Sequence, residues 1–214
     1  MTTLIMVRHG QSVTNLEKRF AGQIETPLTE LGHEQAEATS RFLDSYRIDR
    51  IYSSDLSRAM DTARYTAVHQ DLEIIPAKGF REINAGLWAM KQYEEILAKY
   101  PESYGMWLHD FGRAHPDGGE SVLELSERIN VELDRVLSEN RGKTVAVFTH
   151  ATPVRIMGFK WFGIPLTEAE RLPFCSNAAV SIVEYEDDGV FRVIEYGYDK
   201  HHGTHKTDLP KGIV

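Results

Sequence analysis

The chain has 214 residues with 24 Lys and Arg against 32 Asp and Glu, a net charge of −8 that argues against a nucleic-acid partner and a length that suits one large α/β unit. Its 42% hydrophobic content is enough to bury a core, which excludes wholesale disorder, and no apolar run reaches the roughly 18 residues of a membrane span. A single cysteine excludes an intrachain disulfide or a cysteine-built zinc site and suits a reducing cytoplasm.

Met1-Thr2-Thr3 leads straight into Leu4-Ile5-Met6-Val7 with no basic region or cleavage site, so no signal peptide is expected. The run from Leu4 to Val7 is wholly apolar and ends at Arg8-His9-Gly10, as expected of a strand buried on both faces. Thr29 can cap a helix running to about Tyr46, and Arg50 to Ser53 reads as a second strand. Asp55 is placed to cap a helix carrying Leu56, Ala59, Met60, Ala63 and Ala67 along one stripe. Leu72 to Ile75 is a third strand candidate. From Asn84 to about Pro116 the periodicity loosens around Trp88, Trp107 and Phe111, and two short helices split at Pro101 are expected. Ser121 and Glu124 form a capping box for a helix to about Asn140. Thr144 to Phe148 is another buried-type strand ending at Thr149-His150, and 178–185 with 190–196 reads as a hairpin across Asp187-Asp188-Gly189. The pattern predicts an α/β fold of three layers: a mostly parallel sheet flanked by helices, with an inserted helical segment near 84–116. No internal repeat or linker divides it, so one domain spans 1–214, with 199–214 a loose polar tail.

In open α/β sheets, ligands bind beyond the carboxyl ends of the strands. Arg8-His9-Gly10, Ser53-Ser54-Asp55 with Arg58 one turn on, Phe80-Arg81-Glu82, and His150 all fall there. Of these, Arg8, Arg58, His9, His150 and Glu82 are the set thereby aimed at one crevice. Arg58 adds an energetic oddity, because a cation in a helix's first turn opposes the macrodipole at about 0.3–1 kcal/mol. An anion at that helix start would reverse the sign; an ion pair with Asp55 or Asp61 is the plainer alternative. The set suits phosphoryl transfer through histidine. Guanidinium forks match phosphate oxygens, a neutral imidazole can attack phosphorus, and a carboxylic acid can protonate the departing alcohol. The scheme asks for no metal and no cofactor.

The segment Leu4 to Ser12, with Asn15 following, resembles the signature of the histidine phosphatase superfamily, also called the phosphoglycerate mutase-like family. Further matches follow in order: Gly22-Gln23, Pro27-Leu28-Thr29 with Gly32 and Gln35-Ala36, Ser53 to Leu56 with Arg58-Ala59 and Thr62-Ala63. Arg81-Glu82-Ile83 with Gly86 and Trp88, Gly119-Glu120-Ser121 and Thr149-His150 complete the set, so the likeness covers about residues 3–185. The resemblance implies that His9 becomes phosphohistidine and that Arg8, Arg58 and His150, helped by Asn15, bind the transferring group. Gly22, Gln23 and Ala151 fall on further phosphate- or substrate-binding positions, and Glu82 is implied as the acid and then the base. It also implies a reaction that needs no metal. Departures from the family pattern are Ala85, the Ala89-Met90 pair where Glu-Gly is frequent, and Ala151-Thr152 where a glycine is common.

A cofactor-dependent mutase is the alternative within the family. The interval from Glu82 to Gly119 is short, however, and offers Lys91, Arg113 and His115 but no arginine pair to hold a second anionic group. Trp88, Tyr93, Tyr104 and Trp107 would suit a partly apolar alcohol, so water is the expected acceptor. A phosphate-binding regulatory protein without turnover is the alternative of another class, and the presence of both His9 and Glu82 argues against it. The expected partner is a small phosphate monoester, not nucleic acid or membrane, and an edge in the 178–196 hairpin could pair with a second copy to give a homo-oligomer. His33 and His69 read as surface residues, His201, His202 and His205 as part of the tail, and Cys175 as a small buried residue.

Overall fold

The computed structural model describes residues 1–207. Among them, six strands form one sheet: β1 (Thr2–Arg8), β2 (Arg50–Ser53), β3 (Ile74–Pro76), β4 (Thr144–Thr149), β5 (Val180–Tyr185) and β6 (Phe191–Tyr198). Their order is β3-β2-β4-β1-β5-β6. β1 to β4 run parallel, and the hairpin β5–β6 adds an antiparallel edge. The sheet is thus mixed, with a parallel centre.

The unbroken apolar runs follow from burial on both faces. Leu4 and Met6 of β1 and Val145 and Val147 of β4 enter one core, while Ile5, Val7, Ala146 and Phe148 enter the other. The first core is covered by α6 (Val122–Glu139), whose Val122, Leu125, Ile129, Leu133 and Val136 stripe is buried, and by α7 (Ala151–Phe162). The second is covered by α2 (Glu30–Leu43), which follows the one-turn helix α1 (Val13–Leu16), and by α3 (Ser57–Gln70). Both expected caps form: Thr29 Oγ1 accepts from the Gly32 amide at 3.0 Å, and the Ser121–Glu124 box closes in both directions.

The segment between Glu82 and α6 extends the first core. Its helices α4 (Tyr93–Lys99) and α5 (Pro101–His109) meet at Pro101, which occupies the first turn of α5 where a missing N–H costs nothing. Trp88, Tyr104, Trp107 and Phe111 are buried there and pack edge-to-face in a chain that also takes in Phe20.

Two expectations are corrected. Asp55 does not cap α3, because both its oxygens are taken by Arg81 at 2.6 Å; Glu25 reaches across instead and accepts from the Ser57 amide at 2.9 Å. The segment after Asp199 is not loose as far as Thr207. Lys200–His202 form a 3₁₀ turn, His202 is buried, and Thr39 Oγ1 meets both the His201 and His202 rings. Gln35 Nε2 then donates to the His205 carbonyl and Thr207 hydroxyl, fastening the chain to α2. The rest of the expected tail, 208–214, lies outside the described residues.

Candidate active site

Three neighbouring strands, β2, β4 and β1, end side by side, and their ends continue the ladder by one residue each. The His9 amide donates to the Thr149 carbonyl and the Ser54 amide to the Phe148 carbonyl, both at 2.9 Å. This registration brings His9, His150 and Ser54 together from positions far apart in the chain. Gly10 lets α2 pack onto the loop after β1, because a Cβ there would run into the Gly32 backbone.

His9 is held at both nitrogens. Its Nδ1–H donates to the Gly10 carbonyl at 2.7 Å, and its Nε2 accepts from Arg58 Nε at 3.2 Å. Burial, then the nearby Arg58 and Arg8 guanidiniums, hold its pKa well below the ordinary 6.5. The imidazole is therefore neutral, with its lone pair on Nε2. His150 lies fully buried with its ring 5.1 Å from that of His9. Its Nε2 meets Ser54 Oγ at 2.7 Å, and burial with the same cationic surroundings depresses its pKa as well.

Arg58 is 1% exposed and is clamped by two carbonyls, Gly22 at 2.7 Å and Ile24 at 2.9 Å. Burial lowers its pKa to about 10, which leaves it charged at neutral pH. The two acids proposed for it from sequence are engaged elsewhere, Asp55 with Arg81 and Asp61 with Arg64. Gly22 holds φ = +55°, a left-handed conformation that aims its carbonyl at Arg58, and a Cβ there would sit 2.5 Å from that of Ala85. Arg8 is buried and donates from Nη1 to the Cys175 carbonyl, while its Nε has no partner among the described residues.

Glu82 faces the same cleft. Its Oε1 accepts from the Ile83 amide at 2.9 Å, and its Oε2 lies 3.4 Å from the Thr152 amide in the open first turn of α7. The backbone at this point is braced by Arg128, which pairs with both oxygens of Glu120 at 2.8 Å and donates to the Gly79, Arg81 and Glu82 carbonyls. Gln23, expected to bind substrate or phosphate, donates from Nε2 to the Glu82 carbonyl at 3.0 Å and so supports the carboxylate's loop. Ala151 and Thr152 line the cleft at the start of α7, a helix end without a side-chain cap and so open to an anion.

The observation that decides the family is the match of its model to residues 4–198, described as the histidine phosphatase superfamily, branch 1. The chain belongs to that superfamily. It is 33% identical over 187 residues to phosphoserine phosphatase 1 of Hydrogenobacter thermophilus, covering 87% of this chain and 88% of the relative. It is 32% identical over 190 residues to the metal-independent phosphoserine phosphatase of Arabidopsis thaliana, covering 87% and 78%. Bacillus stearothermophilus YhfR has the same fold at a TM-score of 0.90 and 27% identity, over 94% of this chain and 100% of that one.

Several residues of this candidate site carry no local sequence signal. Asn177 donates to the His9 carbonyl at 3.2 Å and to Asn15 Oδ1 at 3.0 Å, so it ties two site residues together from the turn before β5. Arg19, Phe20, Phe174 and Thr207 also line the cleft. Of the aromatic residues expected at its rim, Tyr93 and Trp107 line it, while Trp88 and Tyr104 pack into the core. No local pattern marks Asn177 or Phe174, because each arrives through the sheet's antiparallel edge rather than at a parallel strand's carboxyl end. Met90 is the cost of one departure from the family: it holds φ = +63°, where the frequent glycine would be unstrained. Among the described residues no group of three His, Cys, Asp or Glu is placed to hold a metal ion, and no helix is long and apolar enough to cross a membrane.

Proposed function

We propose that this protein is a phosphomonoesterase that passes the phosphoryl group of a small alcohol phosphate to His9 and then to water, with phosphoserine as the leading substrate class. The observation that carries the reading is the fixed tautomer of His9, with Nδ1–H on the Gly10 carbonyl and Nε2 unprotonated beside Arg58. In the first step Nε2 attacks phosphorus and the bond to the leaving oxygen breaks. The carboxylic acid of Glu82 supplies that oxygen's proton. In the second step the Glu82 carboxylate takes a proton from water, whose oxygen displaces Nε2 and releases inorganic phosphate. Arg8, Arg58, His150, Asn15 and the Ala151 amide hold the equatorial oxygens, where charge is greatest as the bonds change.

The relatives named phosphoserine phosphatases support water as acceptor and an alkyl phosphate as donor. The cleft's composition agrees. Its lining cations are Arg8, Arg58 and Arg19, and Arg19 is engaged by Glu17 and the Met90 carbonyl, so no free pair of arginines offers itself to a second phosphate as a mutase would need. We read residues 1–214 as one catalytic domain, supported by the unbroken family match, and place it in the cytoplasm on the strength of its single, buried cysteine. The β6 edge is the surface by which it would pair with a second copy.

The test is hydrolysis of an aryl phosphate and of phosphoserine in excess chelator, wild type beside His9→Ala. Phosphate release by wild type, and at least about 10⁴-fold less by His9→Ala, is the expected result. Activity that vanishes in chelator and returns with added divalent metal would overturn the metal-independent scheme, and dependence on a bisphosphate primer would favour the mutase.

A further inference from the structure

Arg155, in α7, is fully buried, yet among the described residues no carboxylate is bonded to it. A buried cation costs several kcal/mol unless its surroundings replace both water and a counter-ion, and an apolar side chain of similar size would fill such a site more cheaply. What surrounds Arg155 is specific. Nε donates to the Leu172 carbonyl at 2.7 Å and Nη2 to the Ala169 carbonyl at 2.6 Å. The guanidinium also lies 4.2 Å from the Phe174 ring centroid, 4.7 Å from Phe111 and 5.5 Å from Phe159. Burial lowers its pKa only to about 10, so it stays charged at neutral pH.

These partners come from different parts of the chain. Phe111 belongs to the inserted segment, Phe159 to α7, and Ala169, Leu172 and Phe174 to the irregular strap between α7 and β5. The strap ends in the catalytic cleft: Phe174 lines it and stacks at 18° on Trp107, which also lines it. The next residue, Cys175, presents the carbonyl that accepts from Arg8 Nη1. Only one amino-acid type meets this demand. A planar fork donates in two directions within its plane while its face remains free for an aromatic ring, which a lysine ammonium cannot reproduce.

We propose that Arg155 is a positioning residue for substrate binding, fastening the 169–175 strap so that the Cys175 carbonyl aligns Arg8 and Phe174 walls the cleft beside the leaving group. The inference rests on the phosphatase reading for its kinetics but not for its phosphate affinity. It separates from a general packing role because His9 and Glu82 sit on other elements, so loss of Arg155 should act on binding far more than on turnover.

The experiment measures inorganic phosphate affinity by calorimetry, together with kcat and KM for an aryl phosphate, in wild type, Arg155→Met, Arg155→Lys, Arg8→Lys and the Arg8→Lys/Arg155→Met pair. Arg155→Met should weaken phosphate binding and raise KM by about tenfold, the worth of one well-aligned charged hydrogen bond, while kcat moves less than about threefold. Arg155→Lys, which keeps the charge but cannot span two carbonyls, should lose most of the same affinity. The double variant should bind phosphate no more weakly than Arg8→Lys alone, because the effect runs through Arg8. Wild-type phosphate affinity and KM in a folded Arg155→Met overturn the proposal. Should that variant fail to fold, the same values in Arg155→Lys overturn it. Additive losses in the double variant overturn the route through Arg8. A wild type that binds phosphate but hydrolyses nothing defeats the phosphatase reading instead, and the affinities still decide the role of Arg155.

Discussion

Glu82→Gln separates the proton donation proposed for Glu82 from its structural contacts. Glu82 is 9% exposed and its backbone is clamped by Gln23 and Arg128, so the substitution leaves the loop in place. The amide has the same shape and keeps an oxygen for the Ile83 N–H at 2.9 Å; the contact it spoils is the long one, 3.4 Å to the Thr152 amide. Stability should therefore change by less than about 0.5 kcal/mol. On the proposed mechanism, what disappears is a proton for the departing oxygen, worth about 10²–10⁴ in rate, or about 3–5 kcal/mol. An alkyl phosphate such as phosphoserine needs that proton, whereas an aryl oxide leaves without it. The assay compares kcat/KM for the two substrates, since on the proposed mechanism this ratio stops at formation of phosphohistidine and is blind to the second task proposed for Glu82, activating water. The expected outcome is a loss of at least about 100-fold on the alkyl substrate and less than about fivefold on the aryl one. An equal loss on both would refute the acid assignment and leave Glu82 with a purely electrostatic part.

Arg58→Lys should cost phosphate affinity about 10- to 100-fold despite the retained charge, because one ammonium cannot bond Gly22, Ile24 and His9 together; calorimetric titration with phosphate checks it. Met90→Gly should raise stability by about 0.5–1 kcal/mol, and Tm by about 1–4 °C, by relieving the left-handed backbone at an exposed position, as read by thermal unfolding. Acid should destabilise the fold through its buried histidines. His9 and His150 have pKa values well below 6.5, His201 about 4 and His202 about 3, all because burial disfavours the charged ring. The unfolded chain takes up these protons as pH falls through about 6.5 and the folded chain does not, so stability is full above that value and declines toward the lower pKa values. At about pH 5 His202, with its pKa held down to about 3, costs about 2 kcal/mol, and His202→Asn should flatten the fall in Tm between about pH 7 and 5.

Much of the candidate site was legible before folding because its residues are local to strand ends. A run such as Leu4 to Val7, apolar at every position, announces a strand covered on both faces, and the parallel order then obliges Arg8-His9 and Thr149-His150 to finish on the same edge of the sheet. Caps within one turn, at Thr29 and Ser121, were legible for the same reason, since their partners lie three residues away. Partners chosen across the fold were not. Asp55 had the right spacing for a cap, but Arg81, 26 residues on, offers it two charged donors, and a bidentate ion pair outcompetes a single neutral amide. The bond from Gln23 to the Glu82 carbonyl, 59 residues apart in the chain, has no local signal either. The segment at 199–207 is polar in composition, yet Thr39 and Gln35 give its histidines and carbonyls enough partners to hold it on α2. Asn177 and Arg155 lie deepest beyond the reach of pattern. Composition and periodicity establish which segments must be buried, but a hydrogen bond is assigned to a donor and an acceptor only when the packed chain has brought every competing pair within about 3 Å.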